Sequence, residues 1–408
     1  MTIGICMRLI IVAAVLLSVT GVLAPGAARG ETQPLVQGNT AFALDLYGRL
    51  KGAQPNIFFS PYSISTCLAM AYDGARGETA KQMADVFRFS NDPQQLNAGF
   101  AALQGQLNQA GKESGIQLNV ANALWAQQGH PFLPAFLKAA REDYQANVNQ
   151  ANFRTSAEAA RSEVNDWVAR KTEERIKDIL PPGSVDPMTR LILVNAIYFK
   201  GAWASPFKAN ETHPLPFHTS ATAQVQTPMM HQTEGAKYME NDTLQAVELP
   251  YRGFGLSMVV LLPRKVDGCA ELENRLSPEF LSNTLAETKE QKVEIFLPRF
   301  KQDSSFKLNG PLEKMGMSDA FSPSADFSGM DATRQLYISA VFHKAWVDVN
   351  ETGTEAAAAT ATTMRALAMM KPLAPPPVFR ADHPFIFLIR DTHSGSILFL
   401  GRLAQPAG

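Results

Sequence analysis

Seven histidines, three cysteines and many serines could supply catalytic chemistry in this 408-residue chain, but their spacing does not assemble it. No Cys-x-x-Cys, His-Glu-x-x-His or clustered His/Asp/Glu pattern gives a metal ion its ligands, so neither a metal site nor a cofactor is expected. No Gly-x-Ser-x-Gly turn or comparable nucleophile setting occurs, which argues against a hydrolase and against an enzyme generally. Cys67, in the apolar run "SISTCLAMAY", reads as a small buried hydrophobe. The unusual chemistry lies instead in "VNETGTEAAAATATTMRALAMM" (349–370), a stretch of mostly small side chains with almost no bulky ones before Met364.

Three conformations compete for that stretch. A surface helix suits its alanines, but not the threonines at 352, 354, 360, 362 and 363 or the glycine at 353. A disordered linker would carry more Gly, Ser and Pro. A loop able to become a strand fits the period-two reading: Thr354, Ala356, Ala358, Thr360 and Thr362 share one face, and Glu355, Ala357, Ala359, Ala361 and Thr363 the other. Such side chains could enter between existing strands with little steric cost, and an inserted strand would satisfy its backbone polar groups.

The elements around this stretch can be read from periodicity and caps. "SPYSISTCLAMAYDGA" (60–75) predicts a helix with Ser60 as N-cap and Pro61 at its first position. Leu96, Phe100, Leu103 and Leu107 mark one helix face. Val164, Trp167, Val168, Ile176 and Leu180 predict another amphipathic helix, ended by Pro181 and Pro182. Residues 191–199, 256–263, 292–298, 336–349, 384–390 and 396–403 read as strands, several apolar enough to be buried on both faces, and "DTHSGS" as the hairpin turn between the last two. The class is α+β, with helices packed on large sheets and no composition shift dividing residues 31–408.

With 46% hydrophobic and 18% charged residues and a net charge of −1, the chain has no basic excess to suggest nucleic acid or an anionic membrane as partner. Arg8 precedes "LIIVAAVLLSVTGVLA" (9–24) and "PGAARGE", the pattern of a secretory signal peptide occupying residues 1–30 and cleaved near 27–30. The apolar run falls short of the ~20 residues a membrane anchor needs. Cys6 lacks a lipoprotein setting, and Cys67 and Cys269 make no disulfide framework. Secretion, extracellular or periplasmic, is therefore expected.

The chain resembles the serpin family. The resemblance is carried by "NIFFSPYSISTCLAMAYDGARGETAKQM" (56–83), "TRLILVNAIYFKGAW" (189–203), "QAVELPY" (245–251), "LSMVVLLP" (256–263), "LPRF" (297–300), "ADFSGM" (325–330), "LYISAVFHKAWVDVNETGTEAAAA" (336–359) and "FRADHPFIFLIRDTHSGSILFLGRL" (379–403), in family order. It implies one domain of about nine helices packed on three β-sheets, with an exposed reactive-centre loop over about 351–378. It also implies a suicide-substrate inhibitor of serine proteases. The target cuts the loop, forms an acyl-enzyme, and is carried across the molecule as the loop enters the main sheet, a type of loop insertion that is a known switching device. The native state would then be kinetically trapped.

By the same resemblance, Glu351, Gly353, Thr354, Glu355, Ala356, Ala357, Ala358 and Ala359 form the hinge. Ser60, Ser63, Asn195 and His343 form a hydrogen-bonded "shutter" beneath the opening strands; Trp203 sits at the "breach" above it; and Arg299 pairs with Glu351 at the loop's base. Family spacing from Glu351 places the reactive bond at Leu367–Ala368, which implies chymotrypsin-, elastase- or cathepsin G-like targets, with Arg365, Met364 and Met369 as alternatives. The implied partner is a serine protease in a covalent one-to-one complex, with a cysteine protease as a second option, and the inhibitor itself a monomer. Residues 80–115 carry no dense Lys/Arg cluster, so no heparin-type cofactor is expected. The alternative function is a non-inhibitory serpin acting as a binding or chaperone-like protein. The hinge composition separates the two, since no proline follows Gly353 until Pro372 and only Glu355 among 354–363 is charged.

Overall fold

A computed structural model describes residues 25–114, 116–144, 147–354 and 374–406. Its helices are α1 (Pro25–Leu50), α2 (Pro61–Gly74), α3 (Gly77–Phe87), α4 (Pro93–Ser114), α5 (Pro134–Glu142), α6 (Phe153–Lys171), α7 (Cys269–Arg275), α8 (Pro278–Glu287), α9 (Asn309–Lys314) and α10 (Ser328–Asp331). Its strands are β1 (Ile57–Phe59), β2 (Gln117–Gln127), β3 (Asn147–Ala151), β4 (Leu191–Ala202), β5 (His213–His218), β6 (Gln224–Glu240), β7 (Leu244–Pro250), β8 (Leu256–Pro263), β9 (Lys289–Pro298), β10 (Phe300–Lys307), β11 (Ala340–Asn350), β12 (Gly353–Thr354), β13 (Val378–Arg380), β14 (Phe385–Asp391) and β15 (Ile397–Leu403).

The strands form two hydrogen-bonded sheets. One has six strands in the order β10-β11-β12-β4-β2-β3; the other has nine, along β1-β15-β14-β8-β7-β6-β9-β13 with β5 on β6. The expected third sheet is fused to the second because β6 is 17 residues long, pairing with β5 near its start, β7 at its end and β9 between.

Local signals explain the elements that position the site. Ser60 caps α2 by accepting from Ser63 N–H at 3.1 Å, and Pro61 stands where the helix has no use for an N–H. Leu96, Phe100, Leu103 and Leu107 are all buried along α4. Strand β8 is buried at all eight positions and β4 at all but two, as their continuous apolar runs require. Alternation then splits β4: Ile192, Val194, Ala196 and Tyr198 pack beneath α6, while Leu193 and Ile197 face the opposite side.

The helix expected across Val164–Leu180 is shorter than its apolar pattern. Helix α6 stops at Lys171, where Thr172 Oγ1 accepts from Ile176 N–H at 3.2 Å and donates to Val168 O at 2.8 Å. Glu173, Glu174 and Asp178 have φ of 51°, 60° and 50°, so the chain leaves the helix in a left-handed turn. Ile176 and Leu180 are buried nevertheless, because this strap lies across the sheet. The strand expected from 336 begins at Ala340. Among the described residues no helix is long and apolar enough to cross a membrane.

Candidate functional site

Strands β4 and β11 run parallel and pair directly from Ile192↔Ala340 to Tyr198↔Trp346, a closed seam of seven pairs. Above Trp346 the strands part. The two residues of β12 enter the gap antiparallel to both, with Gly353 opposite Ala202 and Asn350, and Thr354 opposite Gly201 and Val349. The start of the small-residue stretch is thus already a strand in the main sheet. Of the other expected hinge residues, Glu355 and Ala356 to Ala359 lie outside the described residues, as do Met364, Arg365, Leu367, Ala368 and Met369.

Two features seat Gly353 and Thr354 in this slot. Gly353 has φ of +148°, and a Cβ there would meet Gly201 O at 2.2 Å and Ala202 Cα at 2.6 Å, so only glycine fits. Thr354 is fully buried, its Oγ1 2.8 Å from the hydroxyl of Tyr251. Burial pushes the Tyr251 phenol well above its ordinary pKa, so it meets Thr354 as a neutral hydroxyl. Tyr251 ends the "QAVELPY" block, yet nothing in the sequence marks it as a hinge contact; the turn after β7 brings it there.

Trp203 closes the slot from the β4 side. Its ring stacks on Tyr251 with centroids 4.7 Å apart and planes 10° from parallel. Its indole N–H donates to Asn350 O at 2.9 Å, and its backbone N–H to Thr352 O at 3.0 Å. Glu351 follows, accepting from Thr212 Oγ1 at 2.8 Å and lying 3.3 Å from the Arg299 guanidinium. Trp203 and Arg299, the residues expected at breach and loop base, therefore contact the segment 350–352 that leads into β12.

Below the slot, a polar row crosses the seam inside the core. Asn122 on β2 is in register with Asn195 on β4, and Asn195 with His343 on β11. Ser60 N–H donates to His343 Nε2 at 3.1 Å, so the imidazole proton resides on Nδ1, which donates to Asn195 Oδ1. The Asn195 amide in turn donates to Ser63 Oγ at 2.6 Å and to Asn122 Oδ1. Ser63 Oγ donates to Asn122 Oδ1 at 3.2 Å, and Ser60 Oγ to Leu398 O at 2.6 Å. Complete burial lowers the His343 pKa to about 3, so the ring is neutral. All four expected shutter residues meet here. Asn122 was missed; an asparagine within "NVANALWA" has no sequence signal beyond being a polar residue in an apolar run.

Cys67 and Cys269 are both free and buried, and burial pushes each thiol up to about 12. Among the described residues no group of His, Cys, Asp and Glu could hold a metal ion. The site's chemistry is that of a strand slot, not of a reaction centre.

The comparisons with known proteins agree with this architecture. Residues 37–406 match the family model described as Serpin (serine protease inhibitor). An uncharacterized serpin-like protein of Thermococcus kodakarensis is 42% identical over 92% of this chain and 87% of its own length. The leukocyte elastase inhibitor of Homo sapiens is 41% identical over 92% of this chain and its whole length. Uncleaved ovalbumin superposes with a TM-score of 0.81 at 32% identity, covering 91% of this chain and all of its own. The chain belongs to the serpin family, inhibitors of serine proteases rather than enzymes.

Proposed function

We propose that this chain is a suicide-substrate inhibitor of chymotrypsin-, elastase- or cathepsin G-like serine proteases, with Leu367–Ala368 as the reactive bond. The observation that carries the reading is the seated hinge: Gly353 and Thr354 occupy the head of a gap whose lower part is a closed seam of seven β4–β11 pairs. That arrangement supports a reading in which the rest of the loop follows Thr354 downward after cleavage.

The target's serine hydroxyl attacks the Leu367 carbonyl, the Leu367–Ala368 peptide bond breaks, and the new amine of Ala368 leaves with the proton relayed through the protease. The ester stays on Leu367. The cut frees the hinge, and the fourteen residues from Thr354 to Leu367 can extend over roughly 46 Å as a strand between β4 and β11. The attached protease is pulled by its acylated serine. Deacylation needs an intact oxyanion hole, and losing one donor costs about 10²–10³ in rate, so a distorted protease keeps its ester. Entry requires the Asn195–His343 contact to part, and the Asn122, Ser63 and Ser60 partners give those groups bonds to retain while it does.

The complex is one-to-one and the free inhibitor a single-domain monomer from residue 31 onward. Export by a signal peptide rests on Arg8 and the apolar run 9–24, which lie outside the described residues; N-terminal sequencing of protein recovered outside the cell tests it. The function itself is tested by mixing the mature protein with chymotrypsin, elastase and trypsin. An adduct that survives boiling in detergent, with a released peptide beginning at Ala368, is the expected result. Turnover of the loop without an adduct would favour a non-inhibitory role, and a peptide beginning at Ala366 would move the reactive bond to Arg365.

A further inference from the structure

The seam is fastened on both faces, and only one fastening belongs to the polar row. His343 and Asn195 point towards α2, where Ser60 meets His343 and Ser63 meets Asn195. On the face towards α6, the highest pair of the seam is Trp346 opposite Tyr198, whose rings meet edge-to-face at 5.8 Å and 65°. This pair is the fork: above it β12 separates the strands, and below it they are joined.

A segment outside the sheet covers the fork. After α6, the strap from Thr172 to Leu180 is tied back to that helix at both ends. Thr172 caps the helix, while Asn165 Oδ1 accepts from Leu180 N–H at 2.9 Å and Arg161 donates to Leu180 O at 2.8 Å. Between these ties the strap contacts β11. The Arg175 guanidinium lies 5.3 Å from the centroid of the Trp346 ring, and Lys344 Nζ donates to Lys177 O at 3.0 Å. The strap also holds three non-glycine residues in left-handed conformation, Glu173, Glu174 and Asp178. That strain persists only while the surroundings enforce it.

We propose that Arg175, Trp346 and Tyr198 form a clamp at the fork, and that its release sets the rate at which the hinge enters the seam. This rests on the reading of the chain as a loop-inserting inhibitor. Continuing the register of β12, position 357 is the one that would stand between Tyr198 and Trp346, so insertion beyond position 356 requires Trp346 to part from Tyr198, and Arg175 resting on Trp346 opposes that parting. Because the strap is bound to α6 at both ends, strap and helix lift as one body. Relief of the three left-handed residues favours that lift once the clamp has opened. Arg175 and Trp346 are therefore positioning residues for insertion and touch no protease.

The test separates the clamp from the inhibitor reading by using an insertion assay that needs no protease. A fluorescein-labelled, N-acetylated peptide of residues 354–367 is incubated with the intact protein, and its uptake into the sheet is followed by native gel and anisotropy. Arg175→Ala should take up peptide about two- to fivefold faster than the parent, the range expected for losing an exposed cation–aromatic contact. Trp346→Leu should be at least as fast, the double variant no faster than Trp346→Leu alone, and Arg175→Lys should restore most of the parental rate. Adduct formation with chymotrypsin is measured in parallel. If the parent takes up peptide and traps protease while Arg175→Ala is unchanged in rate, the clamp is wrong and the inhibitor reading stands. Additive effects in the double variant would also overturn the clamp. If the parent neither takes up peptide nor traps any protease, the inhibitor reading fails and the clamp with it.

Discussion

Replacing Thr354 with arginine should convert this protein from an inhibitor into a substrate. Thr354 is fully buried in the present state, its hydroxyl bonded to Tyr251 at 2.8 Å, beneath the stacked rings of Tyr251 and Trp203. Among the described residues the slot offers an arginine no free carboxylate: Tyr251 is neutral, and Glu351 is already engaged by Arg299 and Thr212. An unpaired buried ion costs several kcal/mol even after relaxation. If about 4 kcal/mol of that is felt as the hinge enters, insertion slows by about 10³, at one decade per ~1.4 kcal/mol. Deacylation of the protease, untouched by the change, then wins the competition. Thr354→Val is the control. It keeps shape and loses one hydrogen bond, about 1 kcal/mol, and should remain an inhibitor of near one-to-one stoichiometry. The assay titrates chymotrypsin with each variant and reads residual activity, adduct and cleaved inhibitor. A Thr354→Arg protein that forms the boiling-resistant adduct at the parental stoichiometry would refute the assignment of Thr354 as the leading inward residue.

Three further outcomes follow from the same geometry. The His343 pKa lies near 3 in the fold against about 6.5 in an unfolded chain, so the unfolded state binds the extra proton between those values. The stability this burial permits is complete above about pH 6.5 and is lost as pH falls towards 3; His343→Gln should show a shallower decline in unfolding midpoint over that window, and an unchanged slope would contradict it. Asn195→Ala leaves the His343 Nδ1–H, Ser63 Oγ and Asn122 Oδ1 each short of a partner, and should lower stability to denaturant by about 2–3 kcal/mol, read from the first unfolding transition. Glu351→Gln should cost no more than about 1 kcal/mol in the same measurement, because Arg299 is half-exposed and the Thr212 hydrogen bond survives.

What could be read from the sequence was whatever a local rule encodes. The α2 cap at Ser60, the apolar runs of β4 and β8 and the i, i+4 face of α4 are each fixed by their own residues, and they stand where expected. The end of α6 was not legible, because Ile176 and Leu180 continue the helical apolar spacing while burying themselves from a turn. Burial against a sheet does not require the helix to continue. The shutter residues followed from the family resemblance, yet Asn122 and Tyr251 became visible only through register and stacking, contacts between positions 73 and 103 residues apart in the chain. The proposed clamp at Trp346 was hidden for the same reason: Arg175 and Trp346 lie 171 residues apart and meet only because the strap lies on β11.

The central claim is that a cut loop joins the sheet between β4 and β11. It is tested most directly by cleaving the loop with a protease that is not trapped and comparing the thermal unfolding of the cut and intact proteins. Insertion adds a strand bonded on both sides, so the cut protein should unfold well above the intact one and should no longer take up the 354–367 peptide. A cut protein that unfolds at or below the temperature of the intact one, and still accepts the peptide, would contradict the account.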